Sequence, residues 1–299
     1  MAARPHQLPR RARARRARRL LALLAVALGV AAVASLAAFA RGTPTPTPTP
    51  TATVARVPKI AVPRGLAPIA RFTKIAENSV FHGHTLPAGW SVGAPGSHGF
   101  EATTFQASQV SLNGSEVALT ASSQSANGYP YQGAWITTQG RFSLNHGLID
   151  VRARMPVGQG LWSGLWAVNP DTDPVQGELD IQEMLLGNPH TLYGSLHGWK
   201  PGPTWSTQTA KTVKADLSHG YHDYQVVWQR GMITWAIDGV AYAQYTEAQA
   251  HAAGHPWPFD SISTYLIADL AVGRSWGGPP SASTAFPATM RIESVRVWE

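Results

Sequence analysis

The sequence predicts an all-β domain behind an export segment and a spacer. No long helical period appears after Ala40, and 28 Gly and 23 Pro divide the 299 residues into short elements. Ile149 to Met155 alternates apolar and polar residues over seven positions, as a half-buried strand does. Asp238-Gly239 stands between Trp235-Ala236-Ile237 and Val240-Ala241-Tyr242, which is a hairpin turn signal. Short strands spaced in this way suit a sandwich or a barrel.

The chain opens with eight arginines between Arg4 and Arg19, followed by an apolar run from Leu20 to Ala40. A positive segment, an apolar segment and the small-residue site Ala38-Phe39-Ala40 make a secretory signal. The run of 21 residues is also long enough to span a bilayer. Residues 1–40 are therefore expected to be a cleaved signal peptide or an uncleaved signal anchor. The product is expected to be secreted or held at the cell surface, with residues 20–40 as its only membrane attachment. The whole chain has a formal charge of +7, but removing eight of its 24 basic residues leaves 16 against 17 acidic ones, a net charge of −1. The basicity belongs to the export segment, and no basic patch supports nucleic-acid binding.

Thr43-Pro44 then repeats up to Thr51. Alternating proline favours the extended polyproline II conformation, a semi-rigid spacer with no core. Residues 41–70 are read as linker and residues 71–299 as one domain, large enough to bury a core without a disulfide. The chain has no cysteine.

The chemistry concentrates in Gly177-Glu178-Leu179-Asp180-Ile181-Gln182-Glu183, three carboxylates within six residues of a strand-like run. Like charges this close repel and are costly to desolvate, so solvated strand charges are a poor explanation beside the apolar Leu179, Ile181, Met184 and Leu185. Glu178 and Asp180 share a face by the two-residue period of a strand. Glu183 would fall on the opposite face unless a β-bulge adds one residue and restores the phase. All three then line one face. A retaining glycosidase needs a nucleophile and an acid/base about 5–5.5 Å apart. Same-face neighbours in a strand are roughly 6–7 Å apart at Cα, and rotamers together with a bulge re-aim the ends. Glu178 is then the ionised nucleophile, whose charge raises the pKa of Glu183 and keeps it protonated as the acid. Asp180 lies between them and orients Glu178 by a hydrogen bond.

The pattern Glu178-x-Asp180-x-x-Glu183 resembles the bulged, laminarinase-like signature of glycoside hydrolase family 16. The resemblance runs from about Phe72 to Glu299. It includes Gly158 to Trp166, the hairpin from His222 to Trp228 and from Ile233 to Gly239, and the closing strands Tyr265 to Trp276 and Arg291 to Trp298. It implies a two-sheet antiparallel β-jelly-roll sandwich with a concave substrate cleft, and a retaining endo-acting β-glycan hydrolase or transglycosylase. It also implies the same roles for Glu178, Asp180 and Glu183.

All 11 Trp lie between Trp90 and Trp298. Aromatic faces bury the C–H faces of sugar rings. Trp162, Gly164 and Trp166 share one strand face, and Gly164 leaves room for a ring, so both tryptophans are substrate-binding candidates. Trp276, in a Gly-rich segment after a strand, is a third. Trp228, Trp235 and Trp298 alternate with aliphatics and read as core. His197 is placed by the resemblance near the acid/base, as a substrate or acid/base contact. No histidine spacing suggests a metal.

Three departures from the family pattern stand out. Asn78-Ser79-Val80 replaces acidic residues that, with Glu293, would hold a structural calcium, so no cofactor is expected and calcium is doubtful. Asp269 stands where the family often has Asn. Gln182 occupies the bulge, where an apolar residue is common.

The expected function is hydrolysis of internal β-1,3 linkages of laminarin-type β-glucan by double displacement, in a monomer. The alternatives are a non-catalytic β-glycan-binding module, and a transglycosylase or hydrolase acting on mixed-linkage β-1,3-1,4-glucan or galactan.

Overall fold

The computed structural model describes residues 55–299 except 171, 174, 201, 274 and 275. The export segment and the Thr/Pro tract lie outside the described residues.

Sixteen strands follow in chain order: β1 (Ile75–Val80), β2 (Ser91–Val92), β3 (Thr103–Phe105), β4 (Val110–Leu112), β5 (Val117–Ala121), β6 (Tyr131–Thr137), β7 (Gly147–Arg154) and β8 (Leu161–Val168), then β9 (Gln176–Leu185), β10 (Thr191–Lys200), β11 (Trp205–Thr212), β12 (His222–Gln229), β13 (Met232–Ile237), β14 (Val240–Thr246), β15 (Tyr265–Val272) and β16 (Ala288–Trp298). They form two sheets. One has the order β14-β13-β12-β7-β16-β5-β4, with β1 also on β16; the other has the order β11-β10-β9-β8-β15-β6-β2, with β3 also on β6. Every pairing is antiparallel except β3 with β6. The expected all-β, two-sheet sandwich is therefore present.

Period-two alternation builds the core between the sheets. Ile149, Val151 and Ala153 of β7 and Val226 and Trp228 of β12 face Leu161 and Leu165 of β8 and Leu179 of β9. Asp238 and Gly239 take φ of 48° and 74° in the β13–β14 turn, the left-handed pair that a tight hairpin requires.

The linker assignment does not extend over residues 55–70. This segment packs on the outer face of the first sheet. Ala55, Ile60, Ile69 and Phe72 cover Leu148, Val227 and Trp298, which are neighbours across β7, β12 and β16. Ala61 pairs with the β13–β14 turn through bonds of 2.7 and 2.9 Å, and the Gln244 amide holds Ala67 from both sides. Trp298 is buried as expected, but under this strap rather than between the sheets. Because this stretch lacks a periodic pattern, the residues that pack down read no differently in the sequence from their neighbours.

Candidate active site

β9 runs through the second sheet between β8 and β10, and it carries the three carboxylates. The bulge is present. Asp180 pairs with Trp166 and Gln182 with Leu165, leaving Ile181 as the extra residue. On the other side Gly194 of β10 opposes both Ile181 and Gln182. Glu178, Asp180 and Glu183 consequently line one cavity of about 100 Å³ together with Trp162, Gly164, Trp166 and Asp269. Gln182 turns the other way. It is fully buried and donates to Ser163 Oγ at 3.0 Å, on the core side of β8.

Neighbouring strands fix each carboxyl. Ser195 Oγ of β10 donates to Glu183 Oε2 at 3.1 Å, and the Trp162 indole donates to the same carboxyl. His197 pairs with Glu178 across the β9–β10 ladder. Its Nε2 lies 3.1 Å from Asp180 Oδ2 and 3.9 Å from Glu178 Oε1. The resemblance placed His197 beside the acid/base. The register places it two same-face positions away, against Asp180 and Glu178, because the bulge moves Glu183 opposite Tyr193. Trp235 reaches this strand from the opposite sheet, and its Nε1–H donates to the Asp180 carbonyl at 2.8 Å.

Burial raises all three carboxyls. Glu178 is pushed up to about 8, first by burial and then by Asp180, with His197 opposing. Asp180, the deepest, is raised well above the carboxylate range by burial and then by Glu183 and Asp269. Glu183 is raised by burial, against its bonds from Ser195 and Trp162. Burial, rather than the charge of Glu178, is thus what raises Glu183.

The cleft has further residues that motif reading did not single out. Trp162 and Trp276 meet edge to face at 5.4 Å, and Tyr193 meets Trp276 at 5.2 Å, so Tyr193 extends the aromatic wall. The segment from Ser97 to Glu101 forms the other wall. The His98 ring packs against Trp135 and Trp166, and Glu101 holds the loop by accepting from Ser97 Oγ, His98 N–H and Phe100 N–H. A larger cavity, about 990 Å³, lies under the strap and contains no carboxyl side chain. The acid–base chemistry therefore belongs to the smaller one.

A family model, glycosyl hydrolases family 16, matches residues 97–286. The chain belongs to glycoside hydrolase family 16. The enzyme is 29% identical over 199 residues to the beta-glucanase of Rhodothermus marinus, covering 62% of this chain and 69% of that one. It is 33% identical to glucan endo-1,3-beta-glucosidase A1 of Niallia circulans, covering 56% of this chain and about a quarter of that protein's length, 26%. The endo-beta-1,3-glucanase structure from Pyrococcus furiosus superposes with a TM-score of 0.71 at 26% identity, over 81% of this chain and 98% of that one.

The donor set does not fit the calcium that the resemblance implied. Glu293 accepts from Arg152 Nε at 2.8 Å, and the same guanidinium bonds Asp223 at 3.0 Å. The Arg152 guanidinium already neutralises the Glu293 carboxylate. Among the described residues, the one grouping of three ligating side chains is Glu178, Asp180 and His197. All three side chains belong to the acid–base site described above.

Proposed function

We propose that this enzyme cleaves internal β-1,3 linkages of a laminarin-type β-glucan with retention of configuration. The observation that carries this reading is the bulge at Ile181, which brings Glu178, Asp180 and Glu183 to one face of β9 in one cavity. Glu178 attacks the anomeric carbon in its ionised form, which His197 favours against the burial that raises this carboxyl. Glu183, raised by burial, protonates the leaving oxygen as the bond to Glu178 forms, then takes a proton from the water that attacks the anomeric carbon, breaking the bond to Glu178 and freeing the sugar. Asp180 and His197 are positioning residues. Trp162, Trp166, Trp276 and Tyr193 hold the sugar rings. The activities of the relatives named above support the β-1,3 linkage. The N-terminal pattern supports export to where polymeric glucan is met, and the domain acts there as a monomer.

The test is to follow reducing ends and anomeric configuration with laminarin, mixed-linkage glucan and agarose. The expected result is short laminari-oligomers of β configuration. Glu178→Gln and Glu183→Gln should each lose nearly all turnover while remaining folded. Products of inverted configuration, or wild-type turnover by Glu178→Gln, would overturn the mechanism. Binding without cleavage would favour a glycan-binding module.

A further inference from the structure

Asp269 of β15 is a fourth carboxyl in the cleft, and the mechanism above does not use it. It pairs with Gly164 of β8 on one side and with Trp135 of β6 on the other. Its Oδ1 accepts from Trp166 Nε1–H at 2.8 Å, in the cavity that contains Glu178 and Glu183. Gly164 makes this placement possible, since a Cβ there would lie 2.6 Å from Asp269 Oδ1. One oxygen thus fixes the indole of a sugar-facing tryptophan. The carboxyl lines the cavity and is nearly buried there.

We propose that Asp269 is a specificity-determining residue of the cleft, whose Oδ1 accepts from the Trp166 indole while its Oδ2 carries a hydrogen and donates it to a hydroxyl of the bound sugar. The surroundings favour the protonated form. Carboxyls face Asp269 from two elements, Glu178 and Glu183 from β9 and Glu101 from the 97–101 loop, and each opposes a further negative charge. Asp180 and Asp269 likewise repel each other when charged. His98 lines the same cavity, and burial pushes its pKa down, toward the neutral form. Asp269 is 8% exposed, and burial is the largest cause of its raised pKa. An ionised carboxylate would offer the sugar only acceptors; the neutral acid offers an acceptor to the indole and a donor to the ligand. The inference rests on the glucanase reading only for the identity of the ligand.

Two measurements test it. An infrared difference spectrum, ligand-free wild type minus Asp269→Asn at neutral pH, should contain a protonated-carboxyl C=O band. In a Glu183→Gln background, which cannot turn over, laminari-oligosaccharide affinity is then measured against pH with and without Asp269→Asn. Glu178 and Asp180 titrate in both proteins, so the difference between the profiles isolates Asp269. Affinity should fall roughly tenfold further at alkaline pH when Asp269 is present than when it carries the Asp269→Asn substitution, the worth of one buried hydrogen bond. Absence of the infrared band, or superimposable profiles, would overturn the proposal. If the Glu183→Gln parent binds no laminari-oligosaccharide, the glucan reading and the sugar donation fall together. Binding by the parent with superimposable profiles defeats this proposal alone.

Discussion

Trp235→Phe separates the packing that sustains the bulge from the carboxyls that use it. The Trp235 indole is 1% exposed and crosses the sandwich to Gly194, the residue opposite the bulge. It fits because Gly194 has no Cβ; one there would lie 2.4 Å from indole Cδ1 and Nε1. Its Nε1–H donates to the carbonyl of Asp180, at the point where the extra residue interrupts the regular ladder. Phenylalanine keeps an aromatic ring and removes that donor. An orphaned buried carbonyl costs about 1–3 kcal/mol. The few tens of Å³ of lost volume cost about 1 kcal/mol more, at about 24 cal/mol per Å³. The variant should therefore be less stable by about 2–4 kcal/mol in urea unfolding followed by fluorescence. The freed Asp180–Gln182 backbone should shift the carboxyls, and a 1 Å displacement lowers turnover by about 10²-fold. Reducing-end assays on laminarin at saturating substrate would read that loss as kcat. A destabilised variant with wild-type kcat would refute the reasoning, because the bulge would then hold its geometry without the indole.

Three further outcomes follow from the same geometry. Trp162→Phe removes a donor that favours ionised Glu183, so the acid/base pKa should rise and the alkaline limb of kcat/KM should move to higher pH. An unmoved limb would deny that bond. Glu178, raised to about 8, binds its proton more tightly folded than unfolded, so its contribution is full below the ordinary carboxyl range and is lost as pH rises from there to about 8. Glu178→Gln should abolish that loss, flattening the unfolding free energy by up to about 1.4 kcal/mol per pH unit in this window. Parallel stability–pH curves would contradict the burial argument. A fragment beginning at Phe72 should melt well below one beginning at Ala55, since each of Leu148, Val227 and Trp298 loses cover worth up to about 1.5–3 kcal/mol. Equal melting temperatures would show that the strap contributes nothing.

The candidate site was legible where chemistry follows local period. Glu178 and Asp180 share a face whatever surrounds them, and the phase error at Glu183 signalled the bulge before any partner strand was known. Trp162 and Trp166 flank Gly164 on the cleft face for the same reason. Residues that enter through other elements left weaker signals. Tyr193 and Ser195 come through register with β10, and His98 and Glu101 through a loop with no periodic pattern. The strap from residue 55 to 70 also escaped notice, because its apolar residues make sense only against the outward-facing row of Leu148, Val227 and Trp298.

The sequence by itself determined the all-β class, the carboxylate face of β9 and the family, because strand period and motif spacing are properties of neighbouring residues. Only the tertiary structure decided how far burial raises the carboxyls, that His197 lies against Asp180 and Glu178, and that Asp269 binds the Trp166 indole. Protonation follows burial and the sum of nearby charges. In this cleft those come together from β8, β9, β10, β15 and the 97–101 loop, segments far apart in the chain.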